Sequence, residues 1–339
     1  MAAETQQPRR APRAVRLAAQ VVAGAAAVGL VGFAFADAAS GGSSHDARNN
    51  LTIIAPAGAG GGWDSAAREA QQAIRANGIA NNTQVVNIPG AGGTIGLSEL
   101  NQMAGESSTL MMMGITMLGA THVNGSDVSL DQVTPIARLT DDYDVVVVPA
   151  KSDIETLDDL MGQWGADPER FPFGGGSLGS VDQMIITQLA GEEGLDPTAV
   201  NYIAYSGGGE LAVSLLSGTI KASVSGYQDF SDQIAAGNLR VLAVSAPDPV
   251  PEIDAPTLIE QGYDVSLTNW RGLVAPPGIT DAERTELQAI AAEFIDTPEW
   301  RDALQRNQWT DTSLIGDDFA TNLTEETELV DGIWADLGY

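Results

Sequence analysis

The chain has 339 residues, 44% of them hydrophobic and 18% charged, with a formal net charge of −29. That length and composition provide for two ordinary domains with their own cores and exclude a disordered chain. The acidic balance argues against nucleic acid and anionic membrane surfaces as partners, and the absence of cysteine excludes disulfides and a lipid carried on cysteine.

Arg9, Arg10, Arg13 and Arg16 precede an uncharged run from Leu17 to Ala36 that closes on Ala34-Phe35-Ala36. A basic flank, an apolar stretch and a small-x-small site predict a signal peptide over residues 1–36. The uncharged run is also long enough to stay in a bilayer as an anchor, and both readings stay open. Residues 37–50 read as a polar tether. Without residues 1–36 the chain keeps 12 basic against 44 acidic side chains, a net charge of −32.

From Leu51 onward, short apolar runs alternate with amphipathic stretches, the pattern of a parallel α/β protein. Leu51–Ala55 predicts a strand and 64–77 its helix. Strands at 84–88 and 109–113 follow, with a helix over 94–103 between them. Residues 144–149 (DVVVVP) form a strand apolar enough to be buried on both faces. Strand–helix pairs are expected at 171–174 with 180–192, 200–204 with 209–216, and 220–224 with 228–236. A second buried strand, 239–245, comes next, and helices at 280–296, 298–306 and 316–336 close the chain. The two buried strands bracket a self-contained middle, so we expect two α/β lobes with the chain crossing between them twice. Lobe one takes 51–145 plus 247–339 and lobe two 146–246, with a ligand cleft between them.

Four glycine-rich stretches follow a strand and open a helix: Gly58–Gly62, Gly90–Gly93, Gly174–Gly179 and Gly207–Gly209. Helix N-termini offer free N–H groups and the positive end of the dipole, so such loops can hold an anion. A phosphate loop fails, because no Lys-Ser or Lys-Thr follows the glycines. The dinucleotide fingerprint fails too, its last glycine (Gly96) standing one residue late. Gly175-Gly176-Ser177-Leu178-Gly179 is formally a hydrolase elbow, but neither His45 nor His122 follows Ser177, so the usual triad order cannot be completed. Two histidines and no cysteine leave a zinc site of common type unsupported. No catalytic residue, metal or cofactor is assigned.

The stretches IAPAGAGGGWD, NIPGAGGTIG, NYIAYSGGGELAVSLLSG, LRVLAVS and DAPTLIEQG occur in the order found in substrate-binding proteins of tripartite tricarboxylate transporters, which the chain resembles over about residues 51–339. Asn269-Trp270-Arg271-Gly272 and Ser225-Gly226-Tyr227 resemble the tricarboxylate-binding branch. The resemblance implies a two-lobed periplasmic-binding-protein fold, type II-like, closing on a di- or tricarboxylate such as citrate outside the cytoplasm. It also implies a monomeric, non-enzymatic receptor that delivers its ligand to an ion-gradient-driven membrane permease. Signalling to a sensor protein on ligand-bound closure is the alternative, with an exported serine hydrolase a remote third. The implied contacts are Gly60, Gly61, Trp63, Gly92, Gly93 and Thr94 from lobe one, and Ser177, Gly179, Ser180, Ser206, Gly207 and Tyr227 from lobe two. Arg271, whose planar fork suits a carboxylate, joins them.

Several of these side chains have duller readings. Asp64 and Ser180 could cap their helices, Trp63 and Trp270 could pack the lobes together, and Arg271 could pair with an aspartate. His122 reads as a structural hydrogen-bonding residue, and Met111–Met113 as core strand. Gln183 stands where many relatives carry His.

Overall fold

The computed structural model describes residues 46–205 and 207–336. The leader expected over residues 1–36 lies outside them. The stretch read as a tether is folded from Asp46 on: Ala47 is buried, and Arg48 binds Glu293 at 2.6 Å and also Glu286.

Eleven strands among the described residues form two sheets. The first has six strands in the order β11-β4-β10-β3-β1-β2 and the second five, in the order β7-β6-β8-β5-β9. In chain order they are β1 (Asn50–Ala55), β2 (Asn82–Asn87), β3 (Thr109–Gly114), β4 (Thr134–Asp142), β5 (Asp144–Pro149), β6 (Phe173–Gly175), β7 (Tyr202–Ala204), β8 (Ala222–Gly226), β9 (Leu239–Val244), β10 (Asn269–Ala275) and β11 (Thr310–Ile315). Each sheet has a parallel half, β2-β1-β3 or β7-β6-β8, extended by antiparallel strands. The chain leaves the first sheet at Tyr143 and returns between Val244 and Asn269, giving two lobes joined by two crossings.

The helices are α1 (Gly62–Ala76), α2 (Thr94–Gln102), α3 (Ile115–Val123), α4 (Leu157–Ala166), α5 (Val181–Glu192), α6 (Gly208–Leu216), α7 (Tyr227–Ala235), α8 (Asp281–Ile295), α9 (Pro298–Asn307) and α10 (Asp317–Asp336). In α1, Ala66, Ala67, Ala70, Ala73 and Ile74 make one buried face. Small side chains let that helix sit close on β1 and β2, and the apolar area removed from water holds it there. Every residue of β3 is buried, including Met111–Met113, which are core as expected.

Differences from the sequence expectation lie where charge is buried. Strand β4 reads TPIARLTDD and shows no clean apolar run, because Arg138 and Asp141 satisfy one another inside, with guanidinium-to-carboxylate distances of 2.8 and 2.9 Å. Strands β10 and β11 were likewise unexpected, β11 interrupting the closing helices. The sequence expectation contains neither α3, which continues directly from the buried β3, nor α4. The strands β6, β7 and β8 begin about two residues later than their apolar runs.

Candidate functional site

In open α/β sheets, ligands bind beyond the carboxyl ends of the parallel strands. All four glycine loops stand there. After β1, Gly60 adopts φ +85° and donates its N–H to Asp64 Oδ2 at 2.8 Å. Asp64 also receives Arg68 Nε at 2.9 Å and Asn87 Nδ2 at 2.8 Å. Burial opposes ionisation of this carboxyl, but those donors outweigh it and hold it below its ordinary range. Asp64 lies in the first turn of α1 and is not its cap. Gly61 occupies the N-cap position and supplies no side-chain hydrogen bond, and its own N–H donates to Gly58 O at 3.1 Å.

Arg271, on β10, stands against that helix end. A Cβ on Gly62 would lie 2.9 Å from its Nη2. Nη2 donates to Asp142 Oδ2 at 2.6 Å, and the guanidinium lies over the Trp309 ring, 5.2 Å from its centroid. The pairing with aspartate is therefore real, yet it uses one nitrogen. Arg271 is only 6% exposed, and its Nη1 is buried without an acceptor among the described residues. A buried cationic donor left free is costly.

The loop after β2 turns through positive φ at Gly90, Gly92 and Gly93. A Cβ on Gly93 would fall 2.9 Å from the Trp63 ring, so Trp63 packs within lobe one and joins the two loops. Trp270 is buried beside Phe319 and Arg138 in the same lobe. Neither tryptophan packs the lobes together. Thr94 Oγ1 donates to Ala91 O at 2.9 Å, holding this loop.

Lobe two meets lobe one at the loop after β6. Ser177 Oγ is 3.9 Å from the position a Cβ on Gly92 would take. Gly179, at φ +84°, lies directly on Gly119 and Ala120 of α3. Its N–H donates to Gln183 Oε1 at 2.8 Å, and Ser180 caps α5 while touching Tyr202 Oη at 3.3 Å. Both groups are thus engaged within their own loop. Gly207 stands exposed ahead of α6, and Tyr227 is half-buried at the start of α7. Ser206 lies outside the described residues. His122, on α3, is bound to Asp331 at 2.6 Å.

Sequence reasoning missed four carboxyl groups in this region: Asp142, Asp144, Asp182 and Asp229. Asp182 and Asp229 occupy the first turns of α5 and α7, and Asp144 opens β5 opposite Gly226. Asp182 Oδ2 accepts the Gly176 N–H at 2.7 Å, and Asp229 Oδ2 accepts Ser225 Oγ at 2.9 Å. A Cβ on Gly226 would lie 4.0 Å from Asp144 Oδ1 and 3.9 Å from Asp229 Oδ2. Asp144 is 1% exposed, and among the described residues neither of its oxygens accepts from an N–H or a hydroxyl; the Asp182 carboxyl is its hydrogen-bonding neighbour. Burial, then the neighbouring Asp182, Asp142 and Asp229, push its carboxyl well above the ordinary range. Tyr202 is pushed up as well, by burial and then by Asp182. The one signal available beforehand was an aspartate ahead of four valines, where an apolar residue would be ordinary.

Two lobes with glycine loops on the strand ends are the architecture of a solute-binding protein. The chain matches the family described as Tripartite tricarboxylate transporter family receptor (TctC) over residues 66–328, and it belongs to that family. It is 27% identical to Protein BugT of Bordetella pertussis over 238 residues, 67% of this chain and 71% of that one. A TctC solute-binding protein from Polaromonas has a TM-score of 0.68 at 25% identity, covering 85% of this chain and 99% of its own. MatC from Rhodopseudomonas palustris, solved with bound malate, has a TM-score of 0.72 at 20% identity, covering 84% and 98%. A second R. palustris protein, solved with adipate, reaches 0.76 at 18% identity over 86% and 97% of the two chains. The chain is accordingly a solute receptor and not an enzyme. Among the described residues no helix is long and apolar enough to cross a membrane.

Proposed function

We propose that this receptor works outside the cytoplasm, closes its two lobes on a small di- or tricarboxylate, and delivers it to the membrane subunits of a tripartite transporter driven by an ion gradient. The observation that carries the reading is Arg271, buried with Nη1 free beside the uncapped start of α1. A carboxylate placed there would gain a charge-assisted bond from Nη1. The backbone of Gly60, Gly61, Gly92 and Gly93 supplies the remaining lobe-one surface, and Ser177 approaches from lobe two. The malate and adipate held by two proteins of the same fold agree with this ligand class. Ligand contact with both lobes favours the closed arrangement by differential affinity, so no chemical step is required.

Thermal unfolding of the full chain against mono-, di- and tricarboxylates tests this. A ligand present at a hundred times its dissociation constant stabilises by about 2.7 kcal/mol. We expect stabilisation by at least one dicarboxylate or tricarboxylate and its loss in Arg271→Ala. Folded, ligand-free protein that responds to no carboxylate would overturn the assignment.

A further inference from the structure

Helix α9 ends on a residue that its neighbours avoid. Helices α1, α3, α5, α6 and α7 all close with one kind of turn, in which Gly78, Gly125, Gly194, Gly218 or Gly237 takes positive φ. The next N–H in each then reaches back to the carbonyl five residues earlier, as Ile79 does to Ile74 at 3.0 Å. That turn favours glycine, because a Cβ is crowded in the left-handed region. Helix α9 makes the same turn, with Gln308 N–H on Gln305 O at 3.3 Å and Trp309 N–H on Leu304 O at 2.9 Å. Its left-handed residue is Gln308, at φ +53°. Among the described residues, Ala91 is the one other non-glycine with positive φ.

The side chain at this costly position crosses to the other lobe. Gln308 Oε1 accepts from Gln228 Nε2, and Gln228 lies in the first turn of α7. Helix α9 runs between β10 and β11 of the first sheet, whereas α7 follows β8 of the second. Both ends of the contact are anchored. Trp309, next to Gln308, lies under the Arg271 guanidinium, and Tyr227, next to Gln228, donates its N–H to Tyr143 O at 3.1 Å. The amide pair thus bridges the lobes close to the β4–β5 crossing, in the arrangement that also sets Gly179 on Gly119 and Ala120.

We propose that Gln228 and Gln308 form a latch that favours the joined arrangement of the lobes before any ligand arrives. Glycine would suit the backbone at position 308 better and could not make this contact. The bond needs the two amides within about 3.5 Å of one another, so separation of the lobes breaks it early. Lobes that rest together part of the time leave less closure for a ligand to drive, so the latch raises apparent affinity whatever the ligand is. The inference goes beyond the carboxylate reading and does not rest on it.

Small-angle scattering and thermal unfolding of the ligand-free full chain test it in Gln308→Gly, Gln228→Ala and the double variant. Gln308→Gly should melt close to the parent, since glycine accepts the same φ, yet show a larger radius of gyration. Gln228→Ala should show the same enlargement with the α9 turn untouched. In each, the ratio of joined to separated lobes should fall about fivefold, the worth of one hydrogen bond. The double variant should fall no further than either single one. The parent's radius in either single variant, or enlargements that add in the double variant, would overturn the latch. A melting temperature far below the parent's in Gln308→Gly would overturn it too, because the glutamine would then serve the fold of lobe one.

Discussion

Replacing Asp182 by asparagine should stabilise the unliganded protein at neutral pH. Its carboxyl is buried at the start of α5, and burial pushes it from 3.8 up to about 6 despite the Gly176 N–H bound to it. A carboxyl that ionises less readily folded than unfolded costs nothing below about pH 3.8, where both states hold the proton. The cost grows as pH rises towards 6 and is constant above it, so folding stability falls across that window. Two pH units correspond to about 3 kcal/mol. Asparagine removes the charge and keeps a carbonyl oxygen for Gly176, but it still buries an amide, which costs about 1–2 kcal/mol. The net gain at pH 7.5 is therefore about 1–2 kcal/mol. Urea unfolding of the full chain and of Asp182→Asn at pH 4, 5, 6 and 7.5 would measure it. At pH 4, where the carboxylate cost is nearly gone, the buried amide should leave the variant less stable than the parent by about 1 kcal/mol. A variant less stable than the parent at pH 7.5, or a gain of equal size at pH 4, would refute the reasoning, because the carboxylate would then be supported by its surroundings.

Two glycines give sharper geometric tests. Alanine at Gly62 would set a Cβ 2.9 Å from Arg271 Nη2, which Asp142 and Trp309 hold in place. Carboxylate affinity should fall by tenfold or more while the melting temperature stays close to the parent's; unchanged affinity would remove Arg271 from the site. Alanine at Gly119 would set a Cβ 2.2 Å from the carbonyl oxygen of Gly179, across the contact between lobes. Small-angle scattering should then show a larger radius of gyration that ligand no longer reduces, and an unchanged radius would count against this contact as the closing surface.

The apolar skeleton was legible beforehand, since β3 and β5 carry continuous apolar runs, β9 is broken only by Arg240, and α1 has an obvious buried face. So were the loops: Gly60, Gly90, Gly92, Gly93 and Gly179 all take positive φ, which side chains resist. What could not be read was the buried charge. Arg138 and Asp141 look like surface residues in a linear text and hide β4, because only pairing in space makes them tolerable inside. The four missed carboxyls come from position 142 on the first sheet and 144, 182 and 229 in lobe two, too far apart in sequence to register as one group, and in so acidic a chain each resembles ordinary solvation. Of the two readings of Arg271, ligand contact and aspartate pairing, the structure shows the pairing, with Asp142.

Tyr143 is the single residue between β4 and β5, and Asp142 and Asp144 flank it. Atoms beside a pivot travel little when two rigid bodies swing, whereas atoms at the rim, such as those of Gly92 and Ser177, travel far. Asp142 and Asp144 therefore sit where a swing about this crossing would move them least, while Gly92 and Ser177 meet from the two lobes. A substitution of either aspartate can alter the groups beside the pivot without changing the stroke, and one at the rim can change the stroke while leaving those groups alone. Lineages of such receptors could thus vary the first while presenting the same moving faces to the membrane machinery that reads them.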